Sequence, residues 1–236
     1  MSKYRNIVIL TGAGISAESG VQTFRGAGGL WEGERVEDVA TPQAFQADPL
    51  RVQRFYNERR AGLKTIAPNA AHEALARLEN AHVADVLIVT QNVDDLHERG
   101  GSKNLIHMHG ELRKARCLNC ESVHLWEEDI GVGGTCPACG REDVLRPHIV
   151  WFGEMPFAMN KIEAALARCD LFISIGTSGN VYPAAGFVET INYYGRAHSV
   201  ELNLEPSLGS RNFAETRHGP ATKIVTQYVD ELLTKP

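Results

Sequence analysis

Residues 6–17 read NIVILTGAGISA, an apolar run the length of one buried strand closed by a pair of glycines. Gly12, Gly14 and Ala17 satisfy the G-x-G-x-x-G/A spacing directly after that run. Absent side chains there let a pyrophosphate approach the backbone and the N-terminus of a following helix. The spacing alone leaves a nucleotide-binding turn and a purely structural turn both open. The usual companion is an acidic residue about 20 positions on, at the end of a second strand, where it bonds ribose hydroxyls. Glu32, Glu34, Glu37 and Asp38 fall in that range, but no second strand precedes them. The chain instead continues VQTFRGAGGLW over residues 21–31, where Gly26, Gly28 and Gly29 suit a mobile lid and Arg25 a phosphate or ribose contact.

Short Val-, Ile- and Leu-rich runs recur at NIVILT (6–11), ADVLIVT (84–90), NLIHMH (104–109), CDLFISIG (169–176), HSVELNL (198–204) and TKIV (222–225). They are nearly unbroken by polar residues, as strands buried on both faces are. Between them PLRVQRFYNERRAGLKTI (49–66), NAAHEALARLENA (69–81), NKIEAALARC (160–169) and PAAGFVETINYY (183–194) carry apolar residues at three- and four-residue spacing, which predicts helices. The alternation predicts an α/β fold on a parallel sheet. Four runs end in polar or glycine loops, at 11–14, 90–95, 176–180 and 203–206. Ligands of open α/β sheets bind beyond the carboxyl ends of the strands, so these loops are expected to converge on one crevice. The stretches 25–66 and 111–145 do not fit the sheet and are expected to build a smaller lobe together.

The chain has 236 residues, 43% of them hydrophobic, enough for a real core. Its formal charge of −5, with acids and bases mixed, predicts no nucleic-acid partner. No stretch approaches the roughly 18 apolar residues of a spanning helix. The N-terminal IVIL after Lys3 and Arg5 is too short for a signal peptide. A cytoplasmic protein with no membrane partner is therefore expected.

Four of the five cysteines, Cys117, Cys120, Cys136 and Cys139, form C-x₂-C-x₁₅-C-x₂-C, a spacing that suits four thiolates around zinc. Four protein ligands leave no open position, so the ion is expected to clamp structure rather than act as a Lewis acid. The acidic segment around these cysteines argues against a nucleic-acid ribbon. Cys169 stands alone and reads as a small buried hydrophobe.

In LIHMHGEL, His107 and His109 share a face if the strand is regular. A metal pair, a satisfied core histidine and a catalytic imidazole all remain open for them. His109 differs by standing at the strand end beside Gly110, where an imidazole of pKa about 6.5 can serve as general base. TQNVDDLHERG supplies Gln91, Asn92 and Asp94 at another strand end. Helix capping accounts for any one of these. The amide pair together with a carboxylate offers the donors and acceptors that a nicotinamide carboxamide needs.

With these residues in view the chain resembles the sirtuins, NAD-dependent protein-lysine deacylases, and most closely a bacterial branch related to desuccinylases. The likeness runs end to end through GAGISAESGVQTFRGAGGLW, TQNVDDLH, HMHGEL, the four cysteines, IVWFGEMP, IGTS and NLEP. It implies a Rossmann-type large domain (1–24, 67–110 and 146–236) and a smaller domain of helical insert (25–66) and zinc-ribbon module (111–145), with NAD and acyl-lysine proteins or peptides meeting between them. It also accounts for the second glycine run, since NAD there is a substrate to be cleaved and needs a mobile cover. By the same likeness Gly12, Ala13, Gly14, Ala17, Thr23, Phe24, Arg25, Trp31 and Gln91 to Asp94, Val93 included, would face NAD. Gly176, Thr177, Ser178, Asn203, Leu204, Glu205 and Ala221 would take its adenosine side. His109 matches the family's base, with Asn92 and Asp94 beside it, and one structural zinc would sit on the four cysteines. The implied products are nicotinamide, O-acyl-ADP-ribose and free lysine.

The segment Val150, Phe152, Gly153 and Glu154 would pair the substrate peptide as an added strand through main-chain bonds near Val150 and Phe152. Tyr56 and Arg59, three apart on one helix face, read unaided as part of a solvated charged helix. The resemblance makes them the grip for a succinyl or malonyl carboxylate, in a pocket that Ala40 helps to widen, and implies deacetylase activity besides. Asp95 and His148 depart from the commoner family residues, Gly and Asp. An ADP-ribosyltransferase and a non-catalytic binding module are the rival readings. His109 with the Gln91–Asp94 set weighs against the second, because binding alone needs no base.

Overall fold

The computed structural model describes residues 3–22, 30–31, 33–81 and 83–234, with the side chains of Leu30 and Trp31 left aside. In chain order the elements are β1 (Asn6–Thr11), β2 (Leu30–Trp31), β3 (Glu34–Arg35), α1 (Val36–Val39), α2 (Pro42–Ala47), α3 (Pro49–Gly62), α4 (Ala70–Asn80), β4 (Asp85–Thr90), α5 (Leu96–Arg99), β5 (Leu105–His107), β6 (Gly110–Cys117), β7 (Val123–Leu125), β8 (Leu145–Ile149), α6 (Met159–Leu166), β9 (Leu171–Ile175), α7 (Phe187–Tyr194), β10 (His198–Asn203), β11 (Glu215–His218) and α8 (Ala221–Thr234).

Six strands form one parallel sheet in the order β5-β4-β1-β9-β10-β11. Counted along the chain this is the 3-2-1-4-5-6 order of a Rossmann sheet, and its direction of winding reverses between β1 and β9. The apolar runs explain the burial. Ile7 and Ile9 of β1 pack with Leu75, Leu78, Ile224 and Val225 of α4 and α8. Val8 and Leu10 point the other way, onto Ile162, Leu166, Phe187 and Ile191 of α6 and α7. Successive strand residues face opposite layers, so a strand covered on both sides must be apolar throughout. Helix α4 begins where Asn69 caps Ala71 N and His72 closes a capping box.

The insert and the cysteine segment stand outside this sheet. Strands β7-β6-β8 form an antiparallel sheet running to Ile149, and α1–α3 pack on it through Val36, Val39, Phe55, Tyr56, Leu112, Ile149 and Trp151. Helix α3 is not a solvated charged helix. Gln53 is buried and donates to Leu145 O, and Arg60 is buried and donates to Leu112 O. At the joint of the two sheets Gly110 has φ +87°, and a Cβ there would stand 2.0 Å from His148 O. Among the described residues no helix is long and apolar enough to cross a membrane.

Three expectations need correction. TKIV (222–225) is not a strand but the start of α8, whose Ile224, Val225, Tyr228 and Val229 present one helical face to the core. The sixth strand is ETRH of β11, an edge strand of alternating exposure that has no apolar run to announce it. A run of four apolar residues does not by itself tell strand from helix. The glycine turn is followed by two short 3-10 turns, Ala13–Ile15 and Ala17–Ser19, and not by a helix, so no helix N-terminus faces an anion there. NLIHMH leaves the sheet after His107, and the chain turns at Met108–His109 before β6. His107 and His109 therefore do not sit on one regular strand face.

Candidate active site

The loops after β1, β4, β9 and β10 open into one cleft of about 1240 Å³. A single small ligand usually occupies about 300–1,000 Å³, so the volume suits more than one reactant. Gly12, Ala13, Gly14 and Ala17 line it from the first loop, Gln91, Asn92, Val93 and Asp94 from the second, Gly176, Thr177 and Ser178 from the third, and Asn203, Leu204 and Glu205 from the fourth. Ala221 adds the start of α8, and His109, Ala40, Tyr56, Val150, Phe152, Gly153 and Glu154 complete the opposite wall. Thr23, Phe24 and Arg25, with the side chain of Trp31, lie outside the described residues. Among the described candidates for NAD and acyl-lysine, Arg59 alone does not line the cleft. Its guanidinium lies 3.3 Å from the centroid of the Phe55 ring, and Nη1 donates to Phe55 O at 2.6 Å.

The first and third loops interlock. Gly12 N donates to Ile175 O and Gly14 N to Gly176 O, both at 2.9 Å. A Cβ on Gly14 would stand 2.6 Å from Gly176 Cα, so the glycine is required by the neighbouring loop before any ligand arrives. The spacing read in the sequence thus serves loop packing as well as close approach to a ligand.

Below the second loop, Ser16 ties two candidates together. Its hydroxyl donates to Asp94 Oδ2 at 3.1 Å and accepts from Asn92 Nδ2 at 3.1 Å. Asp94 Oδ1 also accepts from Leu96 N. Burial pushes the Asp94 carboxyl up to about 6, while Leu96 N and Ser16 pull the other way. Asn92 N donates to Thr90 Oγ1, which also accepts from Thr11 Oγ1 at 2.8 Å. Ser16, Thr11 and Thr90 were not singled out in the sequence, because small polar residues in a glycine turn or at a strand end carry no pattern of their own.

The His109 ring is pinned through Nδ1, which stands 3.2 Å from Gln91 O. A carbonyl can only accept, so Nδ1 carries the proton and Nε2 keeps its lone pair. Burial lowers the imidazole pKa below its ordinary value, against the opposing bond to Gln91. His109 is therefore a neutral base at neutral pH. His107 is held differently, between Asn92 O and Glu98 Oε1, where burial lowers its pKa and the Glu98 carboxylate more than compensates.

On the opposite wall Tyr56 is fully buried and its hydroxyl accepts from Trp151 Nε1 at 3.0 Å. Burial pushes the phenol pKa up, so it stays protonated. Glu154 forms a two-pronged pair with Arg146, whose guanidinium lies over Trp151. Val150 N donates to His109 O and Phe152 N to Ala40 O, both at 2.9 Å. Of the two departures, Asp95 accepts from Arg113 and Arg99. His148 stacks on Phe157.

The four cysteines meet at one point, their sulfurs all within 4.8 Å of one another, with Cys117–Cys139 and Cys120–Cys136 at 3.8 Å each. Thiolates about 2.3 Å from a shared ion stand about 3.8 Å apart along the edges of a tetrahedron. A disulfide would bring sulfurs to about 2 Å. Asn119 N and Cys120 N point at Cys117 Sγ, as amides that support a thiolate do. The set fits zinc, held by Cys117, Cys120, Cys136 and Cys139, with no position left for a reactant.

The Sir2 family model matches residues 12–183. An NAD-dependent protein deacylase of Pasteurella multocida is 60% identical over 99% of this chain and 100% of its own length. One of Escherichia coli is 56% identical over 96% of this chain and 84% of its own. Among solved structures, an NAD complex of a Sir2 homologue superposes with a TM-score of 0.88 at 38% identity, covering 98% of this chain and 90% of that one. An ADP-ribose complex of a Sir2 homologue variant does so with a TM-score of 0.90, again at 38% identity, covering 98% and 93%. Sheet order, strand-end cleft, four-cysteine cluster and these likenesses agree, and the chain belongs to the Sir2 family, the sirtuins.

Proposed function

We propose that this protein is an NAD-dependent protein-lysine deacylase that transfers the acyl group to ADP-ribose, releasing nicotinamide, O-acyl-ADP-ribose and free lysine. The observation that carries this reading is His109, a neutral imidazole with Nδ1 committed to Gln91 O, on the wall of a cleft large enough for two reactants. The relatives named NAD-dependent protein deacylases support it. The mixed surface charge and the thiol cluster suit a cytoplasmic enzyme acting on proteins.

When bound, NAD supplies a ribose carbon with nicotinamide as leaving group. In this reading Asn92 and Asp94, fixed through Ser16, present an amide and a carboxylate to the carboxamide, and His109 Nε2 takes the proton of a ribose hydroxyl. Gly12–Gly14 and Ala17 take the phosphates, and Gly176–Ser178, Asn203, Leu204, Glu205 and Ala221 the adenosine side. Residues 25–66 and 111–145 act as the smaller lobe. An acyl-lysine peptide lies along Val150–Glu154. The amides of Val150 and Phe152 already donate within the chain, so strand pairing falls to carbonyls and neighbouring residues.

The acyl group is read as acetyl, succinyl or malonyl. Tyr56 stands on the cleft wall, Ala40 beside it, and Arg59 is one turn further along α3, where its planar fork suits a carboxylate.

Mass spectrometry of acetyl-, succinyl- and malonyl-lysine peptides incubated with NAD tests both levels. His109→Ala is expected to lower turnover by about 10²–10⁴-fold. A variant as fast as the wild type removes His109 from the role. Arg59→Met is expected to lower succinyl turnover about tenfold relative to acetyl, and an unchanged ratio ends the acidic-acyl assignment.

A further inference from the structure

Strand β10 carries a carboxylate where the fold gives it no water. Glu201 is 1% exposed, in the middle of a strand whose Val200 and Leu202 join the apolar layer under α4 and α8. A charge so placed is strongly unfavourable unless every lone pair is bonded. Ser207 Oγ donates to Oε1, Ser210 Oγ donates to Oε2 at 2.6 Å, and His218 Nε2 stands 3.4 Å from Oε2.

Its same-face neighbours behave alike. Ser199 Oγ accepts from Ala214 N at 3.1 Å, and Asn203 Nδ2 donates to Thr177 O at 2.7 Å. Through Ser199 and Glu201 this face of β10 is hydrogen-bonded to the chain segment that follows it, and through Asn203 to the loop after β9. Apolar burial holds the far end of the segment after β10, where Phe213 stacks on Phe172, but not its cleft end, since Leu204 is 66% and Leu208 79% exposed. Yet residues 203–208 form the cleft wall beyond β10, and Leu208 N reaches across to Ser178 O.

We propose that Glu201 is a positioning residue for the adenosine end of NAD. From beneath the wall its carboxylate anchors Ser207 and Ser210 and so sets where Asn203 and Glu205 stand, without touching the ligand itself. The inference rests on the reading of the cleft as an NAD site. At its cleft end the loop between β10 and β11 donates two serine hydroxyl bonds to this one buried side chain, beside the main-chain bond of Leu208 N to Ser178 O.

The test uses the full chain with Glu201→Gln, which puts a donor where one serine hydroxyl needs an acceptor, and Ser210→Ala, which removes one of the two serine donors. Steady-state kinetics with an acyl-lysine peptide and calorimetric titration with ADP-ribose are the readouts. Glu201→Gln is expected to raise KM for NAD and Kd for ADP-ribose about tenfold, and Ser210→Ala about threefold. KM for the peptide and kcat at saturating NAD should stay within about twofold. Unchanged KM for NAD and unchanged ADP-ribose affinity in an active protein overturn the inference alone. A parallel loss of kcat and peptide KM also overturns it, by showing a general structural role. A wild-type protein that neither turns over the peptide with NAD nor binds ADP-ribose overturns the functional reading itself. Should Glu201→Gln not fold, Ser210→Ala decides the question.

Discussion

Among the described residues, the sheet face under α4 and α8 buries eighteen apolar side chains in one cluster, whereas the cysteine module buries five, two of them zinc-binding candidates. Both regions contribute to the same molecule, but they reach order by different routes. The sheet removes apolar surface from water on two sides, a contribution of about 25 cal/mol per Å². The module has Ala115, Ile130 and Leu145 and little else to bury, so the thiolates and their ion must close it. The loops that line the cleft hang on strand ends of the first region, while the second begins with Gly110 and β6 directly after His109. His109, held by Gln91 O, thus stands beside a module whose order depends on a metal.

The largest expected effect tests that contrast directly. Removal of zinc by a chelator, or Cys136→Ser, should withdraw on the order of 10 kcal/mol of ion-linked stability from the module. Hydrogen exchange should become fast in residues 111–145 while the amides of β1, β4 and β9 stay protected. Simultaneous loss of protection in both regions would show that the module and the sheet unfold as one unit.

Gly110→Ala would force a side chain into φ +87° and 2.0 Å from His148 O, where backbone has to move. A loss of about 4 kcal/mol is expected in denaturant unfolding, placing the substitution among the severe ones. A loss below about 1 kcal/mol would mean that the two sheets are not rigidly joined there.

A smaller effect, of opposite sign, is expected in the sheet lobe. Asp94 titrates near 6 in the folded protein, above the ordinary 3.8, because burial disfavours its charge. Raised folded pKa means that the native state holds this proton more tightly than the unfolded chain. Stability from this group is full below pH 3.8, falls as pH rises toward 6, and is lost above it. Asp94→Asn should therefore gain on the order of 2–3 kcal/mol at pH 8, with the gain shrinking as pH falls through 6, while turnover is lost. A pH-independent gain, or a less stable variant at pH 8, would show that burial is not what governs this carboxylate. Such a trade between stability and activity is expected where a fold holds an ionised group for chemistry.

Much of the site was legible because its signals are local. The strand-end loops announced themselves as glycines, amides and carboxylates after apolar runs, and the cysteine spacing predicted a cluster that the sulfur distances match. Helix α3 was the harder case. Its polar residues read as solvated, yet Gln53 and Arg60 are buried because the small sheet offers carbonyls as well as apolar side chains to its inner face. Arg59 sits against Phe55 off the cleft lining, a placement that three-residue spacing does not predict.

The sequence was enough for the alternation of buried strands and helices, for the four-cysteine cluster, and for the strand-end loops that open into one cleft. These rest on near-neighbour periodicity and spacing, which a linear chain displays openly. Only the tertiary structure decided that TKIV starts a helix while ETRH closes the sheet, that Ser16 joins Asn92 to Asp94, that His109 leaves Nε2 as its basic nitrogen, and that Glu201 lies under the cleft wall. Each of these depends on a partner far away in the chain, such as Gln91 for His109 or Asp94 for Ser16, and a group's ionisation and orientation are properties of that meeting rather than of the residue alone.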